Sequence, residues 1–171
     1  VDLIEEIARV SGYENIAVTM PSAPMSLRDA SVERDVQQRA RDYLISAGYF
    51  EAITYSFIDQ KDHELFSPAS GSLQLANPIS SDMSVMRTSM LPGLINAAKH
   101  NLNRQHSDVR LFEIGRVFRY AAKDLIQPVE LAGIALGDRY PLQWGAASEK
   151  LDFFDIKQHF MTALSVFGLT Q

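Results

Sequence analysis

The chain contains no cysteine, which excludes a disulfide framework, a thiolate metal site and a cysteine nucleophile. No apolar run approaches the roughly 20 residues of a membrane-spanning helix, and no basic stretch leads into a hydrophobic one at the start. A soluble, cytoplasmic protein with no membrane partner is therefore expected. Basic residues are in deficit: 16 Lys and Arg against 21 Asp and Glu give a formal net charge of −5. That balance argues against a broad phosphate-binding face, because nucleic-acid affinity rests on clustered Lys and Arg. The phosphate-cradling patterns GxGxxG and GxxxxGK[ST] and the nucleophile pattern GxSxG are missing. His63, His100, His106 and His159 never pair at i, i+4 beside a glutamate, so zinc hydrolysis is not indicated, and each reads as a surface or helix-end residue.

What is present is ordinary globular composition, 171 residues with 46% hydrophobic and 22% charged. That length supports one sizeable domain with a small appendage. The sequence opens in a helical pattern without a methionine and stops just past a helix end near Gly168, so a piece of a longer polypeptide is expected.

Periodicity orders the elements. Leu3, Ile4, Ile7 and Ala8 give a helix over 2–11, with Gly12 at a left-handed cap position. Pro21 and Pro24 then mark an extended linker. A second helix runs from a Ser31 cap to Ala47, buries Val32, Val36, Ala40, Tyr43, Leu44 and Ala47, and stops at Gly48. Alternation of Ile53, Tyr55 and Phe57 predicts a strand over 51–57, and 59–66 a brief polar helix. Leu73 and Leu75 mark a short strand, and Ser84–Arg87 is extended. A helix over 88–104 tolerates Pro92 in its first turn and should bury Leu91, Ile95, Ala98 and Leu102. Strands Val109–Ile114 and Arg116–Tyr120 follow, broken at Gly115, and apolar Leu131–Leu136 reads as a central strand. Trp144 lies in a loop; Asp152 and Asp155 form a capping box for a last helix lined by Phe153, Ile156, Phe160, Leu164 and Phe167. Helices do not alternate one-for-one with strands, so the expected class is α+β, a mainly antiparallel sheet flanked by helices.

Three groups could carry chemistry. Asp2, Glu5 and Glu6 project from one helical face, a set of hard oxygens suited to Mg²⁺, or else acids favoured at a helix start, with Glu5 pairing Arg9. Arg87 and the run Arg110-Leu-Phe-Glu113 could clamp a carboxylate or phosphate in a cleft, or form cross-strand pairs on a wet face. Phe153 and Phe154 read as core, and Met83 and Met86 either as core or as an apolar surface for a partner.

The stretches Asp2-Leu-Ile-Glu-Glu-Ile-Ala-Arg-Val-Ser-Gly-Tyr13, Asn77-Pro-Ile-Ser, Met86-Arg-Thr-Ser-Met-Leu-Pro-Gly-Leu94 and Arg110-Leu-Phe-Glu-Ile-Gly-Arg-Val-Phe118 together resemble the beta subunit family of bacterial phenylalanine–tRNA ligase. The resemblance implies that residues 1–20 end a small winged-helix-like module and residues 21–171 belong to a domain similar to the class II synthetase core. It implies an α₂β₂ heterotetramer with an alpha subunit that owns the active site, ATP as a substrate, and tRNA reached through the whole enzyme. The beta copy would be non-catalytic, with no catalytic or cofactor-binding residue here. A Mg²⁺ site of that family would match Asp2, Glu5 and Glu6, with a further upstream aspartate falling before Val1. Glu113 lies three positions after Arg110, where the usual second motif separates such a pair by one residue, so the two side chains should leave opposite faces of a strand. An active ATP-dependent adenylating domain using Arg87 and Arg110, and an autonomous nucleic-acid-binding module, are the two rival readings.

Overall fold

The computed structural model describes residues 1–24, 32–67, 71–122 and 124–166, and the chain divides into two compact units, Val1–Ala30 and Ser31–Gln171. In the first unit α1 covers Asp2–Ser11, and a single 3-10 turn follows at Tyr13–Asn15. Gly12 between them takes φ 85 with ψ 122, so it turns the chain out of the helix without the left-handed helical geometry expected.

The second unit begins with α2, Val32–Ser46; the expected Ser31 cap lies outside the described residues. Gly48, with φ +84, ends it, and the backbone N–H of Tyr49 reaches back 2.9 Å to the Leu44 carbonyl. Only a glycine takes that turn without strain, and it delivers Tyr49 into the core and Phe50 directly into the sheet.

The expected strand over 51–57 is instead two short pieces, β1 at Phe50–Glu51 and β2 at Phe57–Ile58. Between them the chain leaves one sheet for another: the Ala52 N–H still donates to the Phe112 carbonyl at 2.7 Å, and then Thr54 turns inward. Ile53 and Tyr55, expected to be half-buried, therefore stand exposed at 93% and 69%. Next come α3 (Gln60–Phe66), capped by Asp59, and β3 (Val85–Met86), which pairs antiparallel with β2. The Leu73–Leu75 segment only bridges to β3 through Gln74. Helix α4 spans Leu91–Leu102 with Pro92 in its first turn, and it buries Pro92, Leu94 and Ala98. The expected stripe was rotated: Leu91 and Leu102 are 39% and 45% exposed.

Strand β4, Val109–Arg116, runs through Gly115 without a break, contrary to the expected kink there. The hairpin β5 (Arg119–Ala121) with β6 (Asp124–Ile126) and the long strand β7 (Val129–Leu136) follow. The main sheet has order β1-β4-β7, with β1 parallel to β4 and β7 antiparallel to it from Val109↔Leu136 to Arg116↔Val129. So β4 is central and β7, expected there, is an edge strand among the described residues. The small pieces β2–β3 and β5–β6 add antiparallel pairs, which gives the α+β class expected.

The last helix, α5, covers Phe153–Val166. Its capping box forms as expected: Asp152 Oδ1 accepts from the N–H groups of Phe154 and Asp155, and Asp155 Oδ2 accepts from Asp152 N–H. Its expected inner face does not hold. Phe153, Phe154 and Phe160 are 71%, 72% and 59% exposed, while Ala163 is buried; Phe167 lies outside the described residues. The helix seats through its small residue and His159, so the large rings on either side project away.

Both faces of the sheet are covered. On one, Leu44, Tyr49 and Phe112 pack with Ile114, Leu131 and Ala135 beneath α2 and α5; on the other, Met90, Leu94 and Val117 pack with Leu111, Ala132 and Ile134 beneath α4. No helix among the described residues is long and apolar enough to cross a membrane.

Candidate functional site

The sheet parity expected of Arg110 and Glu113 is what the fold builds. Arg110 points to the α2 side with Phe112, and Glu113 to the α4 side with Leu111. Arg110 is consumed by backbone: it donates to the carbonyl of Ala47 at 3.2 Å, of Asp138 at 3.0 Å and of Arg139. Glu113 accepts from Arg87 Nη1 at 2.7 Å and from the Thr54 hydroxyl at 2.7 Å. Arg87 also donates to Thr54 Oγ1 at 3.0 Å and, through Nε, to the Arg116 carbonyl at 2.9 Å.

This pair is neither a ligand clamp nor the solvated cross-strand pair expected, since Arg87 and Glu113 are each only 3% exposed. Desolvating two charges is tolerable only when they neutralise each other and further hydrogen bonds support them; here the Thr54 hydroxyl and the Arg116 carbonyl supply those. Two glycines make room. A Cβ on Gly115 would lie 2.4 Å from Arg87 Nη2, and one on Gly93 would lie 2.3 Å from Thr54 Oγ1. Gly115 thus stays in the strand because the guanidinium lies over it, not because the chain bends.

Two further residues escaped the sequence reading. Arg119, at the base of the β5–β6 hairpin, forms a two-pronged pair with Glu130 at 2.6 and 2.9 Å and donates to the Thr88 carbonyl. His63, expected at the surface, is 4% exposed with Nδ1 3.1 Å from Thr88 Oγ1. Nothing local in the sequence marks either of them.

Beneath α5 a cavity of about 110 Å³ is lined by Leu44, Tyr49, Leu131, Gly133, Ala135 and α5 residues. His159 Nδ1 sits 3.0 Å from the Tyr49 hydroxyl, the rings edge-on at 5.5 Å. Burial raises the Tyr49 pKa; Arg110 nearby opposes this. Burial, then Arg110, lowers the His159 pKa, and Asp155 partly opposes. A histidine favoured neutral in the fold binds a proton more readily when unfolded. Its stability contribution is therefore complete above the unfolded pKa of about 6.5 and is lost as pH falls through the lower folded value. Thermal unfolding of the chain should show a midpoint falling between pH 7.5 and 5, and His159→Gln should flatten that slope; an unchanged slope would remove His159 as its source.

Asp2, Glu5 and Glu6 all lie on α1 and all are exposed, but they do not converge. Glu6 is taken by Arg9 in an ion pair, where the sequence suggested Glu5. Among the described residues no three Asp, Glu or His side chains gather as a metal ion requires. As arranged, the trio does not fit a magnesium ion.

The comparisons agree with this architecture. A family model described as the phenylalanyl tRNA synthetase beta chain CLM domain matches residues 16–171. The phenylalanine–tRNA ligase beta subunit of Pseudomonas putida is 48% identical over 168 residues, 98% of this chain and 21% of that protein. The corresponding subunit of Thiobacillus denitrificans is 43% identical over 156 residues, 91% of this chain and 20% of that protein. The chain spans about a fifth of the length of such relatives. Among solved structures, a pyrrolysyl tRNA synthetase of Desulfitobacterium hafniense aligns with TM-score 0.61 at 16% identity over 82% of this chain and 46% of its own. A histidine–tRNA ligase subunit of Alicyclobacillus acidocaldarius aligns with TM-score 0.61 at 17% identity, covering 91% and 44%. At such identities these two speak for the fold alone, a class II synthetase-like one. With the family model covering most of its length and near-half identity to curated relatives, the chain belongs to the phenylalanine–tRNA ligase beta subunit family.

Proposed function

We propose that this chain is a non-catalytic, synthetase-like part of a phenylalanine–tRNA ligase beta subunit. Its work is architectural: it supports an alpha subunit that joins phenylalanine to tRNA with ATP, within a cytoplasmic α₂β₂ assembly. In this reading residues 1–20 close a preceding small module and residues 21–171 form the synthetase-like domain. The supporting observation is that the charged groups able to grip a nucleotide are spent internally. Arg87 and Glu113 neutralise each other out of solvent, Arg110 donates to three backbone carbonyls, and Arg119 holds Glu130. With most of its N–H donors committed to fixed carbonyls, the Arg110 guanidinium is held in place instead of being left to swing onto a phosphate.

ATP–pyrophosphate exchange by the assembled α/β enzyme tests this. Arg110→Ala or Arg119→Ala in the beta chain should leave the exchange rate within about twofold, because neither touches reacting atoms. The chain by itself should show no exchange. A loss beyond about a hundredfold with either variant, the scale of a lost transition-state contact, would favour the adenylating-enzyme reading.

For magnesium, Asp2, Glu5 and Glu6 remain the candidate ligands of the full subunit. A fit requires Glu6 to leave Arg9 and a further oxygen ligand to join. Mn²⁺ titration of the assembled enzyme, followed by paramagnetic resonance, should lose one bound ion in an Asp2→Asn/Glu5→Gln variant. Unchanged stoichiometry would retire the site.

A further inference from the structure

We propose that a groove on the outer side of α4 is a docking site for a cationic segment of a partner protein, a Lys or Arg flanked by an apolar residue. The groove encloses about 550 Å³ between the chain after β1, the start of α3, the 3-10 turn at Ser81–Met83, and α4. Its exposed lining is mainly apolar, with Tyr55, Phe57 and Met83 on it and Asn96 and His100 at its α4 wall, and Tyr55 is 69% exposed.

Three carboxylates edge it: Asp59, which caps α3, Asp62 in the first turn of that helix, and Asp82 in the 3-10 turn. Elsewhere in this unit Glu51, Glu113, Glu130, Asp138, Glu149, Asp152 and Asp155 each have an Arg or Lys nitrogen within 4.0 Å. Among the described residues Asp59, Asp62 and Asp82 have none, as is true also of Asp42, Glu64 and Asp108, but only these three edge the groove; Asp59 accepts from the Lys61 backbone, and Asp82 from the Ser81 hydroxyl.

Charge decides the occupant. Three like charges around a concave, low-dielectric wall concentrate negative potential there, which repels phosphate and attracts a cation. The carboxylates do not gather closely enough to chelate a metal ion. A Lys or Arg side chain fits both halves of the surface, since its stem lies on apolar wall while its head meets the carboxylates. An apolar neighbour on the same segment would then cover Tyr55 and Phe57. This inference is independent of which subunit performs catalysis.

Photocrosslinking tests it in the full-length chain, expressed in its own assembly. p-Benzoylphenylalanine replaces Asn96, an exposed α4 residue lining the groove. Irradiation should give an adduct with a protein segment in which Lys or Arg adjoins an apolar residue. Its yield should fall about tenfold in an Asp62→Asn/Asp82→Asn background, the loss of about 1.4 kcal/mol. Raising salt from about 0.05 to 0.5 M should also lower it, as screening of exposed charges requires. An unchanged melting temperature of the Asn variants verifies that they fold. No adduct, an adduct on RNA or on a second copy of this chain, a segment lacking a cation, or a yield indifferent to neutralisation would each overturn the proposal.

Discussion

Arg87→Met in the beta chain is expected to destabilise the domain by about 3–5 kcal/mol, the cost of leaving a buried carboxylate without its counter-ion. Glu113 is 3% exposed and cannot reach water, and the Thr54 hydroxyl alone does not compensate a full charge. At roughly 2–4 °C per kcal/mol for a domain of this size, the melting temperature should drop by about 10 °C. Calorimetry of the purified chain reads it directly. The companion variant Arg87→Met/Glu113→Leu removes both charges and is expected to melt above the single variant, because the penalty lies in the orphaned group rather than in the lost attraction. Gly115 supplies an internal check. Gly115→Ala should be destabilising in the native chain, where its Cβ would sit 2.4 Å from Arg87 Nη2, and much less so once Arg87 is shortened. A single variant that melted within about 1 °C of the native protein would mean that water reaches Glu113, and with it the scaffold reading would lose its main support.

The helices were readable from sequence because their signals are local. The 3.6-residue period, Pro92 in a first turn, Gly48 after a last one and the Asp152–Asp155 box each act within a few residues. The parity of Arg110 and Glu113 was readable too, since alternation across a strand follows from the pleat alone. What escaped was non-local. The segment 51–57 alternates well, yet its middle carries Thr54 to a buried ion pair supplied by residues 33 and 59 positions away. The partner of Arg87 sits on another strand, 26 positions on, so an arginine in an extended run gave no sign of being neutralised inside the core. The α4 stripe and the α5 rings failed for a common reason. Period identifies the apolar face of a helix, but which part of it meets the sheet depends on packing, and there Leu94 and Ala163 fill positions that Leu91 and Phe160 were expected to take. The resemblance placed the family correctly, while of the acidic trio that it singled out Glu6 is paired with Arg9 and the three do not gather at a shared centre.

Phe112→Ala is expected to cost a comparable 3–5 kcal/mol, roughly the range for removing a buried aromatic ring. Phe112 is fully buried at the middle of the central strand, and its cross-strand neighbour on β7 is Gly133, which offers no side chain to fill the space. Its ring packs with Leu44 and Tyr49, and those two residues and Gly133 also line the cavity of about 110 Å³ beneath α5. Loss of the ring should therefore enlarge an existing apolar pocket instead of allowing collapse, because the hydrogen-bonded Tyr49–His159 pair fixes α5 over the chain just before β1. A mostly apolar pocket of that kind, enlarged by a ring, should accept a benzene-sized ligand. Benzene at saturation should recover part of the lost melting temperature in Phe112→Ala and leave the native chain nearly unmoved, since ligand binding to the folded state alone stabilises by mass action. A variant indifferent to benzene, or one destabilised by less than about 1.5 kcal/mol, would show that the two helices close over the gap and that the core on this face is held by something other than the ring.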